Sequence, residues 1–241
     1  MYNENWQERT ELLLGKENLE KLEKAHVLVV GLGGVGAYAA ESLCRGGIGE
    51  LTIVDGDDLN PSNKNRQLAA LDSTLGQQKA IVVGERLKDI NPNLKLHIID
   101  EYIKDERMIE ILDKSFDYVV DAIDTLSPKV YLIYHSVQKG LKIVSSLGSG
   151  ARLDPTKITI KDISKSYNCK LGLVLRKRLR KLGISKGVKV VFSEDKADLN
   201  AVIVDEPGEN KKSTVGTISY MPPIYGCFCA SVVLRDLIEV E

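Results

Sequence analysis

The chain has 241 residues, 43% of them hydrophobic and 28% charged, the composition of an ordinary soluble globular protein with room for one sizeable α/β domain. A formal net charge of −1 excludes a uniformly basic nucleic-acid coat but allows a local basic face. Four cysteines (Cys44, Cys169, Cys227 and Cys229) form no CxxC pair and are too few for a disulfide framework, which points to a reducing cytoplasm.

The first 25 residues read as an N-terminal arm and helix, with no basic segment followed by an apolar run that would mark a secretory signal. "HVLVV" (26–30) reads as a buried strand, 34–46 as a helix and "LTIVD" (51–55) as a second strand. A polar loop leads to a helix over 77–90 that stops at Asn91-Pro92. "LKLHIID" (94–100), a helix over 105–113, "DYVVDAID" (117–124), a helix over 127–139 and "KIVSSLG" (142–148) follow. This alternation predicts a Rossmann-like, doubly wound, mostly parallel sheet with helices on both faces, in which ligands bind at the carboxyl ends of the strands. Residues 26–147 form the expected nucleotide-binding core and 148–241 a substrate-facing extension. In that extension "KITIKDIS" and "GVKVVFS" read as strands flanking a basic helix at 169–182. Residues 193–216 are polar and aperiodic enough for a mobile loop, and an apolar helix is expected over about 224–239. Two prolines in "YMPPIYGCFCASVVL" argue against a membrane span there.

Gly31, Gly33, Gly34 and Gly36 let the first strand turn tightly into its helix and bring backbone N–H groups against a phosphate. Asp55 closes the second strand 19 residues after Gly36, where a carboxylate can accept from ribose hydroxyls. Both features suit NAD and any other adenosine ligand equally. The next segment separates the two: Asn63, Asn65, Arg66 and Gln67 lie beyond the second strand, and Lys79 opens the following helix. A hydride carrier needs no such cations, whereas a triphosphate does, and guanidinium forks suit phosphate oxygens. Asp121 and Asp124 close the fourth strand, where one carboxylate can hold the Mg²⁺ that bridges ATP phosphates. Residues 170–189 hold eight Lys or Arg and no acid, leaving 25 basic against 34 acidic residues elsewhere. That segregation, with Arg176, Lys177, Arg178, Arg180 and Lys181 on one helix, reads as a phosphate-backbone footprint. Cys227 and Cys229 sit in an apolar stretch and read as buried small hydrophobes, and His26, His97 and His135 receive no role.

"GLGGVGAYAAESL", "IVDGDDLNPSNKNRQ", "GQQKA" and "DAIDT" resemble the ATP-binding signatures of the E1-like superfamily of adenylate-forming enzymes, the ThiF, MoeB and HesA group. "RTELLLG", "LAALDSTLGQQKA", "DPTKITIKDISKS", "RKRLRKLGISKGVKVVFSED" and "GTISYMPPIYG" resemble one branch of it, the tRNA threonylcarbamoyladenosine dehydratases, over nearly the whole chain. The resemblance implies a ligase-type enzyme that uses ATP and Mg²⁺ to activate the carboxylate of N6-threonylcarbamoyladenosine at tRNA position 37, which then cyclises with loss of water. It places Gly34 by the phosphates, Asp55 on the ribose, Asn63, Arg66 and Lys79 on the triphosphate and Asp124 on the metal, and extends the nucleotide set to Asp57, Asn65 and Thr125. Arg9 matches an arginine that reaches the partner subunit's nucleotide, which implies a homodimer; a sulfur-relay protein is a further candidate partner. Two departures stand out: the zinc-binding CxxC pairs of sulfur-carrier-activating relatives are absent, and Asn168-Cys169 stands where Asp-Pro is expected before the basic helix. Adenylation of a ubiquitin-like sulfur carrier is therefore the alternative within the superfamily. An NAD-dependent oxidoreductase and a nucleotide-binding scaffold without turnover are the alternatives outside it.

Overall fold

The computed structural model describes residues 6–203 and 214–239. Helices α1 (Glu8–Leu14) and α2 (Lys16–Lys24) precede an alternating series: β1 (His26–Val30), α3 (Gly36–Arg45), β2 (Glu50–Val54), α4 (Lys79–Ile90), β3 (Lys95–Ile99), α5 (Asp105–Leu112), β4 (Tyr118–Asp121), α6 (Leu126–Gln138) and β5 (Ile143–Ser146). The extension adds β6 (Ile158–Asp162), α7 (Lys170–Lys181), β7 (Lys189–Ser193), the short pair β8 (Val202–Ile203) and β9 (Thr214–Val215), and α8 (Met221–Leu237). The main sheet has seven strands in the order β3-β2-β1-β4-β5-β7-β6. All its pairings are parallel except β6 with β7 at the edge, so the extension continues the core sheet.

Burial on both faces explains the near-continuous apolar strands. Val27 and Val29 point into one core with residues of α3, α4 and α8, while Leu28 and Val30 point into the other with residues of α5, α6 and α7. Helix α8 begins at Met221, earlier than expected, because Pro222 and Pro223 occupy its first turn, where a missing N–H costs no helical bond. It lies so close on α3 that a Cβ on Gly226 would stand 2.4 Å from the Val35 carbonyl. Of the loop expected over 193–216, residues 199–201 form a 3₁₀ turn and β8 pairs antiparallel with β9, while 204–213 lie outside the described residues. Asn168 adopts a left-handed φ of 52°, and Cys169 then caps α7 by accepting from the Gly172 N–H at 3.4 Å.

A fully buried ion pair fixes the carboxyl end of β4. Lys129 Nζ lies 2.9 Å from Asp121 Oδ2, and both side chains have 0% exposure. Ser145 donates to the same oxygen at 2.6 Å, the Ile123 N–H donates to Oδ1 at 3.1 Å, and Lys129 also donates to the Ile123 carbonyl at 2.9 Å. Removing one partner strands a buried charge. Lys129→Ala is therefore expected to lower unfolding stability by about 3–5 kcal/mol in denaturant titration. The double variant Lys129→Met/Asp121→Asn should recover part of that loss; a single variant within experimental error of the parent would remove the pair from the fold's supports.

Candidate functional site

The strand order reverses between β1 and β4, which opens a crevice at their carboxyl ends. The glycine turn between β1 and α3 lines it. Gly31 takes a φ of 88°, and a Cβ there would meet the Ala122 carbonyl at 2.8 Å. At Gly36 a Cβ would stand 1.7 Å from the Gly31 carbonyl, so only glycine lets the chain fold back on itself. Gly34 is wedged between Arg66 and Pro222, 3.3 Å and 3.0 Å from a Cβ's position. Gly33 differs, because a Cβ there would meet only the Gln67 amide, at 3.7 Å, so the outer edge of the turn is open. Beside it, the buried Gln67 Oε1 has no hydrogen-bond partner among the described residues.

Asp55 ties this turn to β2. Its carboxylate accepts from the Leu32 N–H at 2.6 Å and from the Asp57 N–H at 2.9 Å. Burial pushes its pKa above the ordinary carboxylate range, opposed by the Lys79 charge and the two N–H donors. Lys79, buried at the start of α4, places its ammonium 2.5 Å from Asp57 Oδ2 and 4.0 Å from Asp55 Oδ1. The Tyr102 hydroxyl donates to the other Asp57 oxygen, which pushes its own pKa up to about 12.

The loop after β2 spends most of its side chains on itself. Asn63 is buried and accepts from the Asn60 N–H at 3.0 Å. Asn65 donates to the Thr217 carbonyl at 3.0 Å, which joins this loop to the segment before α8. Arg66, packed on Gly34, donates to the Ser62 carbonyl and to Asn65 Oδ1, each at 2.8 Å. Thr125 is the residue before α6, and Asp124 precedes it with an exposed side chain. Asp121, the other acid at this strand end, is committed to Lys129. Arg9 lies exposed on α1, a helix that buries none of its residues in this chain.

On α7, Leu175 and Leu179 face the core. Arg176 turns back to donate to the Ser166 carbonyl at 2.6 Å and to its hydroxyl at 2.5 Å. Lys177, Arg178, Arg180 and Lys181 are exposed, and Arg178 donates to the Ser127 hydroxyl at 3.0 Å. That contact sets the basic helix beside the first turn of α6, next to Asp124 and Thr125. Cys229 is buried, which pushes its thiol up to about 12, but Cys227 is exposed, contrary to the expectation of two buried cysteines. The two residues lie on different faces of α8 because the helix turns about 100° per residue.

Sequence reasoning missed three residues. Lys129 carried a signal, a lysine on the first turns of the helix that follows a strand-terminal Asp. Tyr102 carried none. Nor did Arg152, whose buried guanidinium donates to the carbonyls of Gly148, Gly150 and Asn168 at 3.0, 3.0 and 2.6 Å and holds the loop after β5 against the start of α7.

Comparison with known proteins agrees with this architecture. The sequence profile of the ThiF family matches residues 7–240. The chain is 37% identical over 238 residues to the tRNA threonylcarbamoyladenosine dehydratase of Bacillus subtilis (strain 168), spanning 96% of this chain and 94% of that protein. It is 37% identical over 200 residues to the Escherichia coli (strain K12) protein of the same name, spanning 79% and 75%. The crystal structure of the E. coli dehydratase, TcdA, in complex with ATP superposes with a TM-score of 0.89 at 31% identity, covering 99% of this chain and 97% of that one. With the glycine turn at the end of β1 and Arg66 packed on it, this end-to-end match makes the chain a member of the ThiF family.

Proposed function

We propose that the chain is an ATP-dependent tRNA threonylcarbamoyladenosine dehydratase that activates the carboxylate of the modified nucleoside and releases it as a ring with net loss of water. The observation that carries the reading is the contact of Arg178 with Ser127, which ties the exposed basic helix α7 to the first turn of α6, just after Asp124 and Thr125. Relatives of the same name across nearly the full length support the same substrate.

The open edge at Gly33 and the unpaired Gln67 Oε1 fit a nucleotide that supplies phosphate oxygens to the turn and a donor to the amide. Asp55, fixed by two N–H groups, presents a carboxylate suited to ribose hydroxyls. Lys79 is neutralised by Asp57 and Asp55, so nucleotide binding exchanges an internal ion pair for a phosphate contact. Arg66 is half-buried on Gly34, within the same turn, and stabilises the charge that builds at the attacked phosphorus. Asp124, an oxygen donor at the end of β4, fits a hard divalent cation, and Mg²⁺ held there would neutralise triphosphate charge. The nucleoside's carboxylate oxygen attacks a phosphorus of ATP and expels the phosphate beyond it. An internal nucleophile of the same nucleoside then attacks the activated acyl carbon, which closes the ring while the phosphorylated oxygen departs. Net, one ATP is cleaved and one water equivalent leaves the nucleoside.

A homodimer is supported by α1, where Leu12 and Leu13 are 81% and 83% exposed on a helix with no buried residue, beside Arg9. A partner copy would cover those leucines and let Arg9 reach its nucleotide. The free state of all four cysteines supports a cytoplasmic location, and among the described residues no helix is long and apolar enough to cross a membrane. Adenylation of a sulfur-carrier protein is disfavoured by the absence of CxxC zinc pairs from the sequence and by the basic α7.

Incubation with ATP, Mg²⁺ and threonylcarbamoyladenosine-bearing tRNA, followed by nucleoside mass analysis, should show an ATP-dependent loss of one water; ATP turnover with an unchanged nucleoside would sink the reading. Arg66→Ala should lower kcat/KM by about 10²-fold or more while leaving the circular dichroism unchanged. Neutralising Arg178, Arg180 and Lys181 together should weaken tRNA binding and flatten its dependence on salt by about three counterions. An unchanged slope would move the footprint off α7.

A further inference from the structure

At the other end of the sheet, three side chains converge that the nucleotide chemistry does not use. His26 opens β1, Glu50 opens β2 and His97 lies in β3, and strand alternation puts them on one face with Leu28, Val54 and Ile99. Glu50 Oε1 lies 2.9 Å from His97 Nε2 and 3.4 Å from His26 Nδ1. One ligand atom from each residue falls within 4.8 Å of the others. They border an open cavity of 510 Å³ that provides solvent access.

We propose that His26, Glu50 and His97 bind a divalent transition metal of the zinc class. In a tetrahedral zinc site with bonds of about 2.0–2.1 Å, neighbouring ligand atoms stand about 3.3 Å apart, so the two separations at Glu50 lie within a few tenths of an ångström of the required edge. Two imidazoles and one carboxylate select zinc, cobalt, nickel or copper over magnesium or calcium, and the cavity leaves the fourth position to water. The orientation of His26 is already fixed. Its Nε2 is hydrogen-bonded at 2.8 Å to the hydroxyl of the fully buried Thr52, the kind of outer partner that directs the other ring nitrogen to a metal. Its ring also packs on Phe116 with centroids 4.5 Å apart.

Lysines oppose a dication here. Lys95 Nζ occupies the Glu50 oxygen at 2.9 Å, and Lys24 and Lys114 line the same cavity, with Asp117 as a second acid. Lys95 has 66% of its side chain in solvent, so its ammonium can withdraw when a metal takes the carboxylate. The site is therefore a competition between one flexible ammonium and one metal ion, and the competition is measurable.

The full chain, stripped with chelator, should bind one equivalent of Zn²⁺ by calorimetry, and Co²⁺ should give the visible bands of a low-coordinate site. Glu50→Gln and His97→Ala should each weaken binding by at least about tenfold. Lys95→Met, a change at an exposed side chain that leaves the fold intact, should tighten it. Absence of saturable Zn²⁺ binding in both the parent and Lys95→Met overturns the proposal. So does binding that survives Glu50→Gln and His97→Ala but is lost in Cys227→Ser or Asp124→Asn, because the metal would then sit on the exposed thiol or at the nucleotide end.

Discussion

The fold-back of Gly36 onto Gly31 is the constraint on which the rest of this structure depends. A Cβ at Gly36 would overlap the Gly31 carbonyl at 1.7 Å, so the first turn of α3 can stand over the end of β1 only because Gly36 lacks a side chain. The Gly31 N–H donates to the Val54 carbonyl and the Leu32 N–H to Asp55, so the turn is tied to β2. It also positions four other parts of the chain: the Ala122–Ile123 peptide behind Gly31, Arg66 and Pro222 on either side of Gly34, and Asp55 through the Leu32 N–H. Arg66, Asp55 and the start of α8 are thus all referenced to one turn of backbone.

Two ion pairs near that turn show how burial decides the use of a charge. Asp121 and Lys129 are wholly enclosed and further bonded to Ser145 and to the Ile123 peptide, so every partner is satisfied and the pair can only hold the β4–α6 connection in place. Lys79 is equally buried, but its partner Asp57 is half in solvent and shared with Tyr102. Separating the first pair would strand a charge in a low dielectric; separating the second lets Asp57 turn to water. The same residue types give a fixed strut in one place and an exchangeable contact in the other. The His26–Glu50–His97 cluster at the opposite end of the sheet, with its exposed Lys95, belongs to the exchangeable kind.

Much of this was legible because local periodicity and turn chemistry act over a few residues. The strands at 26–30 and 189–193, the helix that stops before Asn91-Pro92 and the glycine turn follow from apolar runs bounded by breakers. The start of α8 was misjudged because proline reads as a breaker except in a first turn, and only packing against α3 shows that a first turn is present there. Cys227 was misplaced for a related reason: in a helix two residues apart point to different faces, and an apolar stretch does not say which face is covered.

The sequence alone settles the local conformations and the chemical inventory: a strand, a glycine turn, a helix, a strand-terminal acid, cations beyond the second strand and a segregated basic helix. Which of those groups meet is settled by packing across the whole chain. Arg176 turns inward while Arg178 binds Ser127, Asp121 is consumed by Lys129 while Asp124 stays at the surface, and Arg152 disappears beneath three carbonyls. The reason is physical. A backbone turn is governed by sterics between near neighbours, whereas the state of a charged side chain depends on desolvation and on partners brought from 8 to more than 50 residues away, as Asp121 with Lys129 and Ser127 with Arg178 show.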